Sequence, residues 1–162
     1  MQTEIRTAKP ADLGRLMQIE QSSFPKQEQC SPAMMASRLK AFPAWCFAAW
    51  RGGQLAGFVH GMGIAQPAMR DGFYYFPAMH QENAPWQCVL GLAVDPQYRG
   101  QGVGSRLMGF YAGMAQAKGR QGLVLACKEE RRSFYQKIGF CCAGASQSHY
   151  GKSAWLDMAW RF

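Results

Sequence analysis

Residues 88–111, CVLGLAVDPQYRGQGVGSRLMGFY, place the tightest limit on what this chain can fold into. The apolar run Val89-Leu90-Gly91-Leu92-Ala93-Val94 reads as a strand. Asp95-Pro96 stops it, because proline lacks an amide donor and turns the residue before it away from helix. Arg99-Gly100-Gln101-Gly102-Val103-Gly104 comes next. Val103, Leu107, Phe110, Tyr111 and Met114 then recur at three- and four-residue steps, the period of a helix. The order is strand, glycine-rich turn, helix. A helix start leaves its first amides unpaired and carries partial positive charge. Glycines allow positive φ and a close approach of backbone to a bulky anion. Together they make a seat for phosphate or pyrophosphate, and Arg99 stands where it could add charge. An ordinary tight strand–helix connection can carry similar letters, so better-defined phosphate loops serve as a check. A P-loop needs Gly-Lys-Ser/Thr where this chain has Gly104-Ser105-Arg106, and the dinucleotide pattern G-x-G-x-x-G does not fit glycines at 100, 102 and 104.

Length and composition set the outer bounds. A chain of 162 residues with 48% hydrophobic and 17% charged residues is expected to form a single domain, 1–162, with a substantial core. No apolar run approaches the roughly 20 residues that span a bilayer, and MQTEIRTAKPADL holds no apolar signal core. The expectation is a soluble, cytoplasmic protein with no membrane partner. Six cysteines form no C-x-x-C pair, and three scattered histidines suggest no zinc site, so reduced thiols and no metal are expected. The formal charge of +8 admits nucleic-acid binding. The basic residues are dispersed, however, and attraction of an anionic cofactor accounts for the same charge. No nucleic-acid partner is expected.

In chain order, residues 4–8 read as a first strand. Pro10-Ala11-Asp12 opens a helix whose stripe of Leu13, Leu16, Met17, Glu20 and Phe24 is apolar but for Glu20. Ser31 caps a second helix with Pro32 in its first turn. Residues 44–50 and 55–64 form a hairpin about Arg51-Gly52-Gly53-Gln54. Residues 66–85 make a long connection whose Phe73-Tyr74-Tyr75-Phe76 run either covers a sheet edge or walls a substrate pocket. After the central strand and helix come a strand at 122–127, a helix at 129–137 closing at Gly139, and a final hairpin of 140–145 with 153–160. The expected fold is α/β (α+β), β-α-α-β-β-β-α-β-α-β-β, a mixed, mostly antiparallel sheet with helices on both faces.

Arg99-x-x-Gly102-x-Gly104, the preceding LAVDPQYRGQG and the later Phe134-Tyr135-Gln136-Lys137-Ile138-Gly139-Phe140 resemble the GCN5-related N-acetyltransferases, and the predicted element order matches theirs. Cys127 and Cys30-Ser31-Pro32 look most like the serotonin (arylalkylamine) N-acetyltransferase branch. The resemblance implies acetyl-CoA as co-substrate. Leu92, Ala93 and Val94 would line pantetheine, and Arg99, Gly100, Gln101, Gly102, Val103, Gly104 and Ser105 would hold the pyrophosphate. Lys128, where many relatives outside this branch have an Asn that contacts pantetheine, and Ser133 would complete the cofactor site. Tyr135 matches the family's general acid, which protonates the leaving thiolate. A phenol of pKa about 10 suits that task, although a tyrosine that only packs on CoA would look the same. Phe24 and Pro32 fall where the branch builds its amine pocket.

One departure concerns the base. The branch carries two histidines on the central strand where this chain has Cys88 and Leu90, neither of which can serve. His80 and Glu82, just before the strand, are the nearest base candidates, and each also reads as an exposed loop residue. The expected activity is transfer of acetyl to a primary amine, small-molecule and plausibly arylalkyl, by direct attack in a ternary complex. A catalytically weak acetyl-CoA sensor, or an acetyltransferase of protein or peptide amines, is the alternative. A homodimer is compatible with the resemblance.

Overall fold

A computed structural model describes residues 2–162, which divide into two compact units, one of residues 2–61 with 91–111 and one of 62–90 with 112–162.

The first unit is built on a four-stranded antiparallel sheet. Strands β1 (Thr3–Thr7), β2 (Cys46–Arg51), β3 (Gln54–His60) and β6 (Gly91–Val94) lie in the order β1-β2-β3-β6. Gly52 and Gly53, both at positive φ, make the two-residue turn between β2 and β3. Successive β3 residues face opposite sides of the sheet. A side chain at Gly57 would meet Leu107 and Val103 of helix α4 (Val103–Ala117), while Phe58 and His60 share a narrow apolar cavity with Leu16, Met35 and Leu39. Those three belong to α1 (Leu13–Ser23) and α2 (Pro32–Ala41), so this sheet carries helices on both faces. Phe47 stacks edge-on against Phe110 and Tyr111, with centroids 5.0 and 6.2 Å apart, which fixes the middle of α4. Helix α2 starts at the predicted cap: the Met34 amide donates to Ser31 Oγ at 3.0 Å, with Pro32 at the first helical position.

The second unit holds β4 (Gly63–Ile64), β5 (Trp86–Cys88), β7 (Gly122–Cys127), β8 (Cys141–Ala145) and β9 (Leu156–Arg161) in the order β4-β5-β7-β9-β8, with only β5 and β7 parallel. Two short helices, α3 (Asp71–Tyr75) and α5 (Arg132–Ile138), complete it. The 66–85 connection therefore contains a helical turn. Asp71 accepts from Ser148 Oγ (2.7 Å) and the His149 amide (2.9 Å), and Tyr74 stacks on Tyr150 at 4.1 Å. Arg120, 5% exposed, donates to Glu82 O, Ala84 O and Gln87 Oε1 and so holds residues 82–87 in place.

One predicted strand is two strands, and the strand predicted from Val89 begins only at Gly91, with a separate strand over Trp86–Cys88 before it. Residues 55–64 break at Gly61-Met62, and the central run breaks at Val89-Leu90. In both places the chain changes partner. Gly61 donates weakly to Trp45 O (3.4 Å), whereas Met62 O accepts from the Cys88 amide (2.8 Å). The Val89 amide turns to Val124 O (2.9 Å) before Gly91 pairs with His60.

Candidate active site

The strand–turn–helix of the first unit forms as the sequence predicts. Strand β6 pairs with β3 on one edge, Val94 opposite Gly57 and Leu92 opposite Val59, and is the terminal strand of its sheet. Its other edge presents backbone groups spaced to receive an extended, amide-bearing ligand. Asp95 then accepts from the Gln97 amide (2.9 Å), capping the 3-10 turn Pro96–Tyr98, and takes an ion pair from Arg15 of α1. Burial works against its charge, but the Gln97 amide and Arg15 outweigh that and hold its pKa below the ordinary value. Tyr98 donates to Gln54 Oε1 (3.0 Å) and Gln101 to Gln97 O (3.1 Å), so the loop is fixed from both sides.

Gly100 and Gly102 sit at φ +74° and +84°, and a Cβ on either would point into open space. The conformation demands glycine and leaves the backbone bare to a large anion. Helix α4 makes its first bond from the Arg106 amide to Gly102 O (3.0 Å), so the amides of Val103, Gly104 and Ser105 lie ahead of the helical ladder. Gln101, Gly102 and Ser105 are exposed. Arg99 departs from expectation. Its guanidinium is bound to Val94 O (2.9 Å), Ser22 O (3.3 Å) and Ser23 Oγ (3.1 Å), at the C-terminal end of α1. Phe24, half-buried, follows that helix end directly, and exposed Pro32 opens α2.

The second unit carries Lys128, Ser133, Tyr135, His80 and Glu82. Tyr135, half-buried on α5, packs edge-on against Phe134 (5.0 Å) and Phe140 (5.6 Å). Gly139, at φ +140°, closes the helix, and a side chain there would strike Trp160. Burial of the hydroxyl, then the neighbouring Cys127 thiol, push the Tyr135 pKa up, with Arg131 acting the other way. The phenol therefore keeps its proton at neutral pH, the form a general acid requires. Burial raises the Cys127 thiol to about 11, which leaves it a poor nucleophile. Lys128 places its ammonium 5.6 Å over the Trp155 ring, and Ser133 is exposed in the first turn of α5.

His80 and Glu82 are joined, and the join restricts both. His80 Nδ1 accepts the Gly63 amide at 2.9 Å, which places the ring proton on Nε2 facing Glu82 Oε2 at 3.0 Å. Glu82, exposed, is held below its ordinary pKa by the hydrogen bond from His80, aided by Lys118. Neither nitrogen of His80 has a lone pair to offer while these bonds persist.

The sequence reading missed a buried polar cluster under α1 and α2. Glu20, 4% exposed, accepts the Cys30 amide (3.0 Å), and its pKa is raised by burial against the pull of that amide and of Arg38. His60, 2% exposed, lies near Arg38, and burial first, then Arg38, drive its pKa well below 6.5. The signal was present: Glu20 is the one polar residue in the apolar stripe of α1, and His60 ends a strand that is otherwise buried from Leu55 onward. Among the described residues, no group of three or more His, Cys, Asp or Glu side chains could hold a metal, and no helix is long and apolar enough to cross a membrane.

Comparison with known proteins gives the family and the fold. Residues 43–142 match the family model for the acetyltransferase (GNAT) domain. No curated protein matches the chain by sequence. Among solved structures, the GphF GNAT-like decarboxylase in complex with isobutyryl-CoA is 22% identical over 98% of each chain, with a TM-score of 0.85. The PaiA N-acetyltransferase of Thermoplasma acidophilum in complex with coenzyme A is 17% identical over the whole of both chains, at 0.75. The ribosomal-protein-alanine N-acetyltransferase of Brucella melitensis is 17% identical over 98% of this chain and 99% of that one, at 0.73.

Proposed function

Since the chain belongs to the GNAT-domain acetyltransferases, we propose that its 162 residues act as one domain that moves acetyl from acetyl-CoA to the primary amine of a small molecule, by direct attack in a ternary complex. The observation that carries this reading is the run from the open edge of β6 through two positive-φ glycines to the bare amides that open α4. The pyrophosphate is read onto the amides of Gly100–Ser105 and the pantetheine onto the edge of Leu92, Ala93 and Val94. The amine nitrogen attacks the thioester carbonyl. The C–N bond forms, the C–S bond breaks, the departing sulfur takes the Tyr135 proton, and the nitrogen gives up its surplus proton, which returns through solvent to the Tyr135 phenolate. His80 acts as base only by giving up one of its present bonds, and the Glu82 carboxylate, held below its ordinary pKa, is a weak one, so the reading that fits best is an amine that sheds its proton to solvent before attack. Phe24 and Pro32 are read as the acceptor side, where an aromatic amine would lie against the Phe24 ring.

The test is thiol release from acetyl-CoA across phenylethylamine, tryptamine, spermidine, free amino acids and short peptides. Amine-dependent release, aromatic amines first, is expected. Preference for a peptide N-terminus would move the acceptor to proteins. Binding of acetyl-CoA without release from any amine would leave an acceptor outside the panel, or a sensor. A second reading, loss of carbon dioxide from a carboxylated acyl-CoA, is favoured by the engaged state of His80 and by the activity printed for the GphF structure. That reaction needs no amine and no base, only a proton donor for the carbon left behind. Conversion of malonyl-CoA to acetyl-CoA and carbon dioxide with no amine present would establish it.

A further inference from the structure

The pyrophosphate loop is strapped to α1 by two arginines that run in opposite directions. Arg15 reaches from the first half of α1 to Asp95 at the start of the loop. Arg99 reaches back from the end of the same 3-10 turn to Ser22 O and Ser23 Oγ, the last two residues of α1, while its Nε holds Val94 O. A guanidinium at that place satisfies a carbonyl, Ser22 O, that the helix leaves unpaired and complements its negative end. Three bonds from one planar fork also fix its orientation.

The bonds continue past Ser23. Gln29 Nε2 donates to Phe24 O (2.8 Å) and Gln21 O (3.4 Å), and the Cys30 amide donates to Glu20 Oε2 (3.0 Å). Ser31 then caps α2. Thus Val94 and Asp95, on the donor side, connect through Arg99, Arg15 and the end of α1 to residues 24–31, on the acceptor side. From this we infer that Arg99 is a positioning residue that couples acyl-CoA binding at the loop to the ordering of residues 22–31, and that it does not serve as the positive charge on the pyrophosphate. This rests on the reading of the loop as the acyl-CoA site. It departs from the expectation that Arg99 adds charge there, because its fork already faces protein oxygens.

Hydrogen–deuterium exchange with and without CoA tests the coupling without knowledge of the amine. In the wild type, CoA should slow exchange at amides 100–105 and also at 21–31. In Arg99→Ala, protection at 100–105 should persist, with CoA affinity within about threefold, while protection at 21–31 disappears. Arg99→Lys should behave like the alanine variant, because a point charge cannot reproduce the fork. With an accepted amine in hand, both variants should raise its KM about three- to tenfold, with kcat changed less. An unchanged circular-dichroism spectrum establishes that each variant is folded. Tenfold or greater loss of CoA affinity in Arg99→Ala that Arg99→Lys restores would overturn the inference and make Arg99 a phosphate ligand. So would protection at 21–31 that survives in Arg99→Ala. No protection at 100–105 in the wild type would refute the acyl-CoA reading itself, and the coupling with it.

Discussion

Replacing His60 by leucine asks whether a buried imidazole at the end of β3 sets the acid limit of this fold. The ring is 2% exposed, packs edge-on to Phe58 at 5.3 Å, and lies so close to Gly91 that a Cβ there would sit 2.6 Å from Nε2. Neither ring nitrogen has a hydrogen-bond partner among the described residues. Burial, then Arg38, hold the folded pKa well below the 6.5 of an unperturbed imidazole. The sign follows from linkage: as pH falls through 6.5 the unfolded chain takes up the proton first, so the folded state loses stability. Between roughly pH 7.5 and pH 5, one histidine that stays neutral when folded costs the wild type up to about 2 kcal/mol, and leucine at this position removes that loss. Near pH 7.5 the variant should be at least as stable as the wild type, since an unpartnered buried polar group costs about 1–3 kcal/mol. Urea unfolding followed by tryptophan fluorescence, at half-unit pH steps, gives both curves. Taking their difference cancels the raised pKa values of Glu20 and Asp157, which gain stability as pH falls, and the lowered ones of Glu82 and Asp95, which lose it. A difference that stays flat across the window would show that His60 protonates in place, and the burial argument would fail.

Three other substitutions probe separate parts of the chain. Tyr135→Phe should lower kcat in the acetyl-transfer assay by about 10²-fold or more and leave CoA affinity within twofold, because a positioned acid is worth roughly 10²–10⁴; equal losses in both would make the ring a packing residue. Ser31→Ala should cost about 1 kcal/mol in urea unfolding by removing the cap at the Met34 amide. Gly122→Ala should destabilise by about 1–3 kcal/mol or abolish soluble expression, since its Cβ would lie 2.2 Å from Trp160 O and 2.6 Å from the Trp86 ring.

Elements whose cause is local were legible in the sequence. The 122–127 strand matches residue for residue, and the cap at Ser31, the hairpin at Gly52-Gly53 and the stop at Gly139 stand where turn and capping chemistry puts them. The breaks at Gly61-Met62 and Val89-Leu90 stand beside Gly61, Gly63 and Gly91, which are poor strand formers, but the change of pairing partner that makes each a break rather than a bulge depends on residues far away in the chain and was not legible. The glycine loop could be read because positive φ has a residue signature. The direction of the Arg99 side chain could not, because it depends on where α1 ends, 76 residues earlier. The motif predicted a charge for the anion, and tertiary structure gives that charge to a helix end.

The discontinuous first unit has a consequence on the ribosome. Strand β3 is complete at His60, but its partner β6 begins only at Gly91. At roughly 5–20 residues per second, the 30 residues between them keep that edge waiting for about 2–6 s. During that interval Leu55, Ala56, Phe58 and Val59 lie along a strand whose β6 side has no partner and whose other side can pair only with β2. A nascent chain in that state is a template for the same strand of a neighbouring copy. Slow codons that delay the emergence of residues 61–94 from the ribosome would lengthen the exposure and lower the yield of folded protein, and slow codons read after that emergence would not.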